Sequence, residues 1–191
     1  MFTLQEMIDT FTLEKVNKAG AVFDYKKLEW MQSEYMKKSA PQNFVSVVKQ
    51  ELENKGINGI DDDYVVRVIT LLRERVQFPH QIADFGNYMF EIPKSYDDEF
   101  RAKVWTEKAQ QALPEVIALL RSAEDFNHTA LHQTVQAYLA EKKMGFKDVM
   151  NPLRLLVTGK SVGAGMFETM EVLGKQATLE RIDAILGLLT H

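Results

Sequence analysis

The sequence predicts an all-α chain, and three observations carry the prediction. Apolar residues recur at helical spacing nearly throughout. No run alternates with the period of two that marks a half-buried strand. Residues that start and stop helices punctuate the periodic stretches. Thr3-Leu4-Gln5-Glu6 opens as a capping box, in which the hydroxyl takes one free N–H and the glutamate another. Asp24 precedes a run with Leu28, Met31, Tyr35 and Met36 on one face, and Pro41 ends it. Phe44, Val45, Val47, Val48 and Leu52 line the next face up to Lys55-Gly56, a C-terminal cap signal. Asp61 to Asp63 put acid at the positive end of a helix dipole. That helix carries Val65, Val66, Val68, Ile69 and Leu72, with Arg73 and Arg75 placed in its last turn. Gln77-Phe78-Pro79 is a short break, Pro79 suiting a first helical turn.

A second set begins near Thr106, with Val116, Ile117, Leu119 and Leu120 as its apolar face and a break or restart at Pro114. Asn127 caps a helix through Lys143, which Gly145 closes. Asn151-Pro152 interrupts the next segment, placing Pro152 at a helix start or a kink. Gly163, Gly165 and Gly174 punctuate the tail, and 177–189 forms the last helix. No internal repeat of fixed period is present. The polar stretch from Pro93 to Asp98 is the best place for a subdomain boundary.

Composition excludes several classes. With 46% hydrophobic and 26% charged residues in 191, the chain is an ordinary globular one, not a disordered or low-complexity one. It has no cysteine, which removes disulfide scaffolds, thiolate zinc sites, iron–sulfur clusters and cysteine nucleophiles, and fits a reducing compartment. No apolar run approaches the roughly 18 residues of a membrane helix. MFTLQEMIDTF lacks the basic and apolar regions of a signal peptide. The net charge of −4 argues against a generic nucleic-acid coat but leaves room for a shaped binder using a few arginines.

The usual catalytic patterns fail on inspection. Gly159-Lys160-Ser161 after an apolar run invites a phosphate-loop reading, but Arg154 stands where the wrapping glycine is needed. The segment reads instead as a glycine-rich turn between helices. His128 and His132 share helical spacing, yet Thr129 occupies the place of a zinc protease's glutamate and no third ligand is evident. No serine lies in a nucleophile elbow, and acid pairs such as Asp97-Asp98 read as solvated surface. Two arginines remain: Arg154 inside the apolar stretch from Leu153 to Val157, and Arg75 just before a proline break. Each either caps helical carbonyls or pairs with an acid, or else presents its planar fork to a base edge or phosphate.

From Leu13 to Met36, LEKVNKAGAVFDYKKLEWMQSEYM resembles a segment of bacterial glutamyl-tRNA synthetases, class I aminoacyl-tRNA synthetases. Glu14, Val16, Ala21, Val22, Phe23, Asp24, Lys27, Leu28, Trp30, Met31 and Tyr35 fall in register with the family pattern, while Gln32 and Met36 depart from it. The tail is similar to the family's end through Pro152-Leu153-Arg154, Thr158-Gly159, Gly165-Met166-Phe167-Glu168 and Leu173-Gly174-Lys175. The middle agrees more loosely, through Leu72-Arg73-Glu74-Arg75. The family's HIGH-type motif and KMSKS-type loop are absent from the sequence. The resemblance therefore implies the C-terminal, anticodon-binding portion of a larger enzyme, most simply an expression fragment.

What the resemblance implies is specific. Residues 1–36 correspond to the end of a stem-contact connector, 37–95 to a first anticodon-binding subdomain and 96–191 to a second, together a helical, cage-like region. Arg75 aligns with the arginine that inspects the third anticodon base, cytosine in glutamate tRNA and guanosine in glutamine tRNA. Arginine there goes with enzymes that discriminate between the two tRNAs. Arg154 aligns with a second anticodon-contacting arginine, and Gly163, Ala164 and Met166 with a loop that approaches the anticodon. Gln136 stands where some relatives carry arginine. Met166 can lie against a base or belong to the core. The implied partners are glutamate tRNA and the upstream catalytic domain, in the cytoplasm, with no membrane and no DNA. The fragment itself is expected to be non-catalytic and to need no cofactor, ATP and magnesium serving the parent's catalytic domain. A helical protein-interaction module is the alternative. The two differ in where the cations cluster: Arg75, Arg154 and the glycine turn converge on one surface if RNA is the ligand.

Overall fold

The computed structural model describes residues 3–16, 20 and 22–189; Ala21, one of the residues carrying the resemblance, lies outside them. Among the described residues there are twelve α-helices, two 3₁₀ turns and no strand, as the periodicity predicts. The first half holds α1 (Leu4–Thr10), α2 (Tyr25–Lys38), α3 (Val45–Asn54), α4 (Asp62–Leu72), α5 (Gln81–Phe85) and α6 (Asn87–Phe90). The second holds α7 (Asp98–Val104), α8 (Glu107–Ser122), α9 (His128–Lys142), α10 (Phe146–Thr158), α11 (Met166–Leu173) and α12 (Lys175–Leu189).

Caps set the starts. Thr3 and Glu6 exchange the two bonds of a capping box, at 3.2 and 2.7 Å. Side-chain oxygens of Asp24, Asp61, Thr106 and Asn127 each accept from the backbone N–H three residues on, satisfying donors that the first turn leaves free. Asp97 does the same for α7. Burial then decides the course of each helix. Phe44, Val48 and Leu52 face the core from α3 and its preceding turn, whereas Val47 turns outward and is 41% exposed. On α2 only Met36 is buried; the expected face of Leu28, Met31 and Tyr35 stays open among the described residues.

Four local expectations are corrected. Neither proline breaks its helix: Pro114 lies inside α8 and Pro152 inside α10. A proline in a helix interior costs about 3 kcal/mol, but α10 alone buries Leu153, Leu155, Leu156 and Val157, at about 1.5–3 kcal/mol each. Packing outweighs the lost hydrogen bond. Lys143, not Gly145, takes the left-handed conformation that ends α9, with φ 54°, and Met144 N–H then donates to Leu139 O. Gly145 instead starts α10, its N–H donating to Asp148. Finally, α4 ends at Leu72, so Arg75 lies in the turn beyond it, its N–H bonded to Leu72 O.

α10 is the central helix and packs against α12, α8, α7 and α6, while α11 reaches both α9 and α4. One apolar cluster runs continuously from Met36 to Ile185, on both sides of the 93–98 segment. The junction between the halves is polar as well. Arg181 of α12, 5% exposed, donates from Nε to Tyr88 O at 2.7 Å and from Nη2 to Met89 O at 3.3 Å. Tyr64 Oη also donates to Met89 O at 2.7 Å. These bonds supply partners to carbonyls that a four-residue helix leaves unsatisfied. Arg181→Met, which keeps the apolar stem, is expected to lower the unfolding free energy by about 2 kcal/mol; urea denaturation checks it, and an unmoved midpoint contradicts it.

Candidate functional site

The site is built where the end of α10 turns back toward α5 and α6. Gly159 ends α10 with φ 68°, and a Cβ there would stand 2.6 Å from Ser95 O, so both conformation and space call for glycine. Its carbonyl accepts from Asp97 N–H at 2.8 Å, and Ser161 Oγ donates to Asp97 Oδ2 at 2.9 Å. These bonds tie the turn to the segment joining α6 and α7. The two bonded donors, Phe100 N–H first and Ser161 Oγ second, hold the Asp97 carboxyl below its ordinary pKa. Lys160 then crosses to the other side. Its Nζ donates to Asp84 O and Phe85 O at 3.1 Å each and lies 5.8 Å from the centre of the Tyr88 ring. Burial lowers the Lys160 pKa and nearby Asp84 raises it in part. The ammonium is thus committed to the last carbonyls of α5, and the residues before it are helical rather than a strand, which is not phosphate-loop geometry.

Arg154 points from α10 into the same turn. Its Nη2 donates to Ala164 O at 2.8 Å, while Nη1 is buried without a hydrogen-bond partner. Tyr88, 1% exposed, brings its hydroxyl to the same spot, also without a partner at hydrogen-bond geometry. Gly163 makes the approach possible: a Cβ on it would stand 2.9 Å from Arg154 Nη1 and 3.1 Å from Tyr88 Oη. Burial dominates the ionisation of both groups. It lowers the Arg154 pKa, with Tyr88 opposing and Arg75 adding to the shift. It raises the Tyr88 pKa, opposed by Arg154, the Ala164 backbone and Arg75. The phenol therefore stays neutral and leaves the guanidinium charge in place.

Arg75 follows α4. Its turn is fixed by Gln81 Oε1, which accepts from Gln77 N–H at 2.9 Å and Phe78 N–H at 3.0 Å. The Arg75 side chain is exposed, borders an open recess of about 520 Å³ with Gln81 and Phe85, and makes no hydrogen bond or ion pair with any described residue. Its charge is nonetheless felt by both Arg154 and Tyr88. Arg154, Gly163 and Ala164 are thus brought together, while Arg75 lines a separate recess with Val76, Gln77, Gln81, Asp84 and Phe85. Met166 is seated in the core at 5% exposure, and Ala164 is buried at 3%. Sequence reasoning missed Tyr88, for which no periodic or motif signal exists, and considered Lys160 only as a phosphate-loop lysine. His128 and His132 do not act as a pair: His128 Nδ1 lies 2.6 Å from Glu171, and the His132 ring packs edge-on to Phe167 at 5.2 Å. No helix among the described residues is long and apolar enough to cross a membrane.

The family model described as anticodon binding domain matches residues 25–186. A glutamate–tRNA ligase of Chlorobaculum parvum is 35% identical over 191 aligned residues, covering 95% of this chain and 38% of its own length. One from Chlorobium chlorochromatii is also 35% identical, with the same coverage. Among solved structures, a glutamate tRNA ligase from Elizabethkingia meningosepticum in complex with its amino acid superposes with a TM-score of 0.90 at 28% identity, over 98% of this chain and 37% of that one. The glutamate-tRNA synthetase of Elizabethkingia anophelis gives 0.86, also at 28% identity, over 97% and 36%. The chain spans 38% of the length of these curated relatives.

Gly159→Ala is expected to cost about 2 kcal/mol, from left-handed backbone and the clash with the 93–98 segment together. Thermal or urea unfolding measures it, and a variant as stable as the parent chain contradicts the role given to this turn.

Proposed function

The chain belongs to the anticodon-binding domain family, and from that premise we propose that it reads the anticodon arm of glutamate tRNA as part of a glutamate–tRNA ligase. The single observation that carries the reading is that neither Arg75 nor Arg154 is ion-paired with a carboxylate, although the charge of Arg75 is felt at Arg154. Two like charges near each other repel, and an anionic or acceptor-rich ligand relieves that repulsion. This favours RNA over a protein-interaction module, which has no need of unpaired arginines.

Anticodon bases are single-stranded and are read on their edges once splayed out. Arg75, unpaired and exposed, presents its fork to the third base, where cytosine offers acceptors at O2 and N3. Guanosine, the third base of glutamine tRNA, is larger and differently patterned. Arg154 holds the Ala164 carbonyl and so shapes the 163–166 loop beside that base while adding positive charge. Residues 1–36 act as the end of the connector, 37–95 and 96–191 as the two anticodon-binding subdomains. The exposed Leu4, Ile8, Phe11, Phe23 and Trp30 on the connector suit contact with the catalytic portion of the enzyme. That portion uses ATP and magnesium to join glutamate to the tRNA in the cytoplasm; this chain supplies recognition.

Arg75→Gln is expected to leave the melting temperature unchanged, because the guanidinium holds nothing in the fold. It should cut the preference for an anticodon-arm hairpin with cytosine over guanosine at the third position by about 1–3 kcal/mol. Affinities for the two hairpins at matched salt decide it. An unchanged ratio with a lowered melting temperature returns Arg75 to a structural role.

A further inference from the structure

The turn that carries Arg75 holds two aromatic rings that the apolar core does not use. Phe78 and His80 stack on each other, with ring centres 5.6 Å apart and planes 20° from parallel. His80 is exposed and Phe78 half-buried. Phe85 and Phe90, a little further along, pack against the core, and Phe78 is not among the residues that do so. Single exposed apolar side chains are ordinary on a protein surface. A stacked pair on a fixed turn beside a recess is a different object. Gln81 Oε1 accepts from Gln77 N–H at 2.9 Å and from Phe78 N–H at 3.0 Å. In return Gln81 N–H donates to Phe78 O at 3.1 Å, and Ile82 N–H donates to Pro79 O at 3.2 Å. Pro79, between the two rings, has its φ locked. The backbone under the pair is therefore set before a ligand arrives, which lowers the cost of binding one. Gln77 and Gln81, which bracket the pair in the chain, both line the recess of Arg75. One turn thus offers a guanidinium that no described residue engages and a flat aromatic surface. Single-stranded nucleic acid is held by that combination, a cation for an edge or phosphate and a ring for the face of a base.

We infer that Phe78 and His80 form a stacking platform for an unpaired base of the anticodon loop, next to the base whose edge meets Arg75. The inference rests on the RNA-binding reading and deepens it. Arg75 selects by edge, whereas the platform binds by face and is indifferent to which base it holds.

The test combines variants of this chain with altered anticodon-arm hairpins. Phe78→Leu keeps apolar bulk and removes the flat face, and its melting temperature should stay at that of the parent chain because Phe78 lies outside the core. Its affinity for the glutamate hairpin should fall about tenfold, Phe78→Tyr should bind within about twofold of the parent, and His80→Ala should weaken binding in the same direction as Phe78→Leu. The cytosine-to-guanosine ratio and the salt dependence should not move in Phe78→Leu, since neither an edge contact nor a phosphate contact is lost. A hairpin made abasic at a loop position beside the third anticodon base should bind the parent about tenfold more weakly and be insensitive to Phe78→Leu. Parent-like affinity in Phe78→Leu overturns the inference, as does a loss that persists undiminished with every abasic hairpin. A lowered melting temperature with a changed cytosine-to-guanosine ratio also overturns it, making Phe78 a structural support of Arg75. Those three outcomes leave the RNA reading standing. A parent chain that binds no hairpin brings that reading down, and the platform with it.

Discussion

Tyr88 is buried at a point where cations from three parts of the chain meet it. Arg181 holds its main-chain carbonyl from α12, Lys160 lies over its ring from the turn after α10, and Arg154 of α10 borders, with the Tyr88 hydroxyl, the space that Gly163 leaves open. None of the three is paired with a carboxylate; each donates instead to backbone carbonyls. A neutral aromatic ring is one of the few side chains that can sit among several positive groups at a net gain, since its faces attract cations and its burial contributes apolar area. Tyr88 is one of the residues through which the two halves meet, beside the packing of α11 on α4 and of α10 on α6.

This arrangement separates charge that stabilises the fold from charge left for a ligand. Lys160 and Arg181 are spent on helical carbonyls. Elsewhere some surface cations pair with acids, as in Lys55–Asp84, Lys108–Asp148 and Arg121–Asp183. Such exposed pairs add little stability, but they leave the overall potential acidic and quiet. Arg75 and Arg154 are among the cations that make no ion pair with a described residue. On the reading proposed above, a local pair of cations on an acidic protein would accept a particular RNA shape without retaining nucleic acid at large.

What the sequence makes legible is what local chemistry controls. Asp24, Asp61, Thr106 and Asn127 cap helices because their side chains reach the first free N–H groups whatever the tertiary context. Pro114 and Pro152 mislead because the area buried along α8 and α10 exceeds the cost of a missing hydrogen bond, a balance that is settled only once the neighbours are in place. Arg75 and Arg154 are visible as anomalies, a cation at a break and a cation in an apolar run. Tyr88 is invisible, since an aromatic residue in a short helical segment carries no pattern, and its surroundings come from residues 66 to 93 positions further along the chain. Met166 could not be assigned from sequence because a methionine beside a phenylalanine fits a base contact and a core equally well; the start of α11 turns it inward.

The most direct measurement of the central claim is a hydrogen-exchange footprint of this chain with and without the glutamate anticodon-arm hairpin. Protection should appear together in the turn around Arg75 and in the 159–165 segment, and be absent from the exposed faces of α1 and α9. Protection of only one of the two segments, or none at concentrations that saturate binding, would contradict a single RNA-reading surface formed by Arg75 and Arg154.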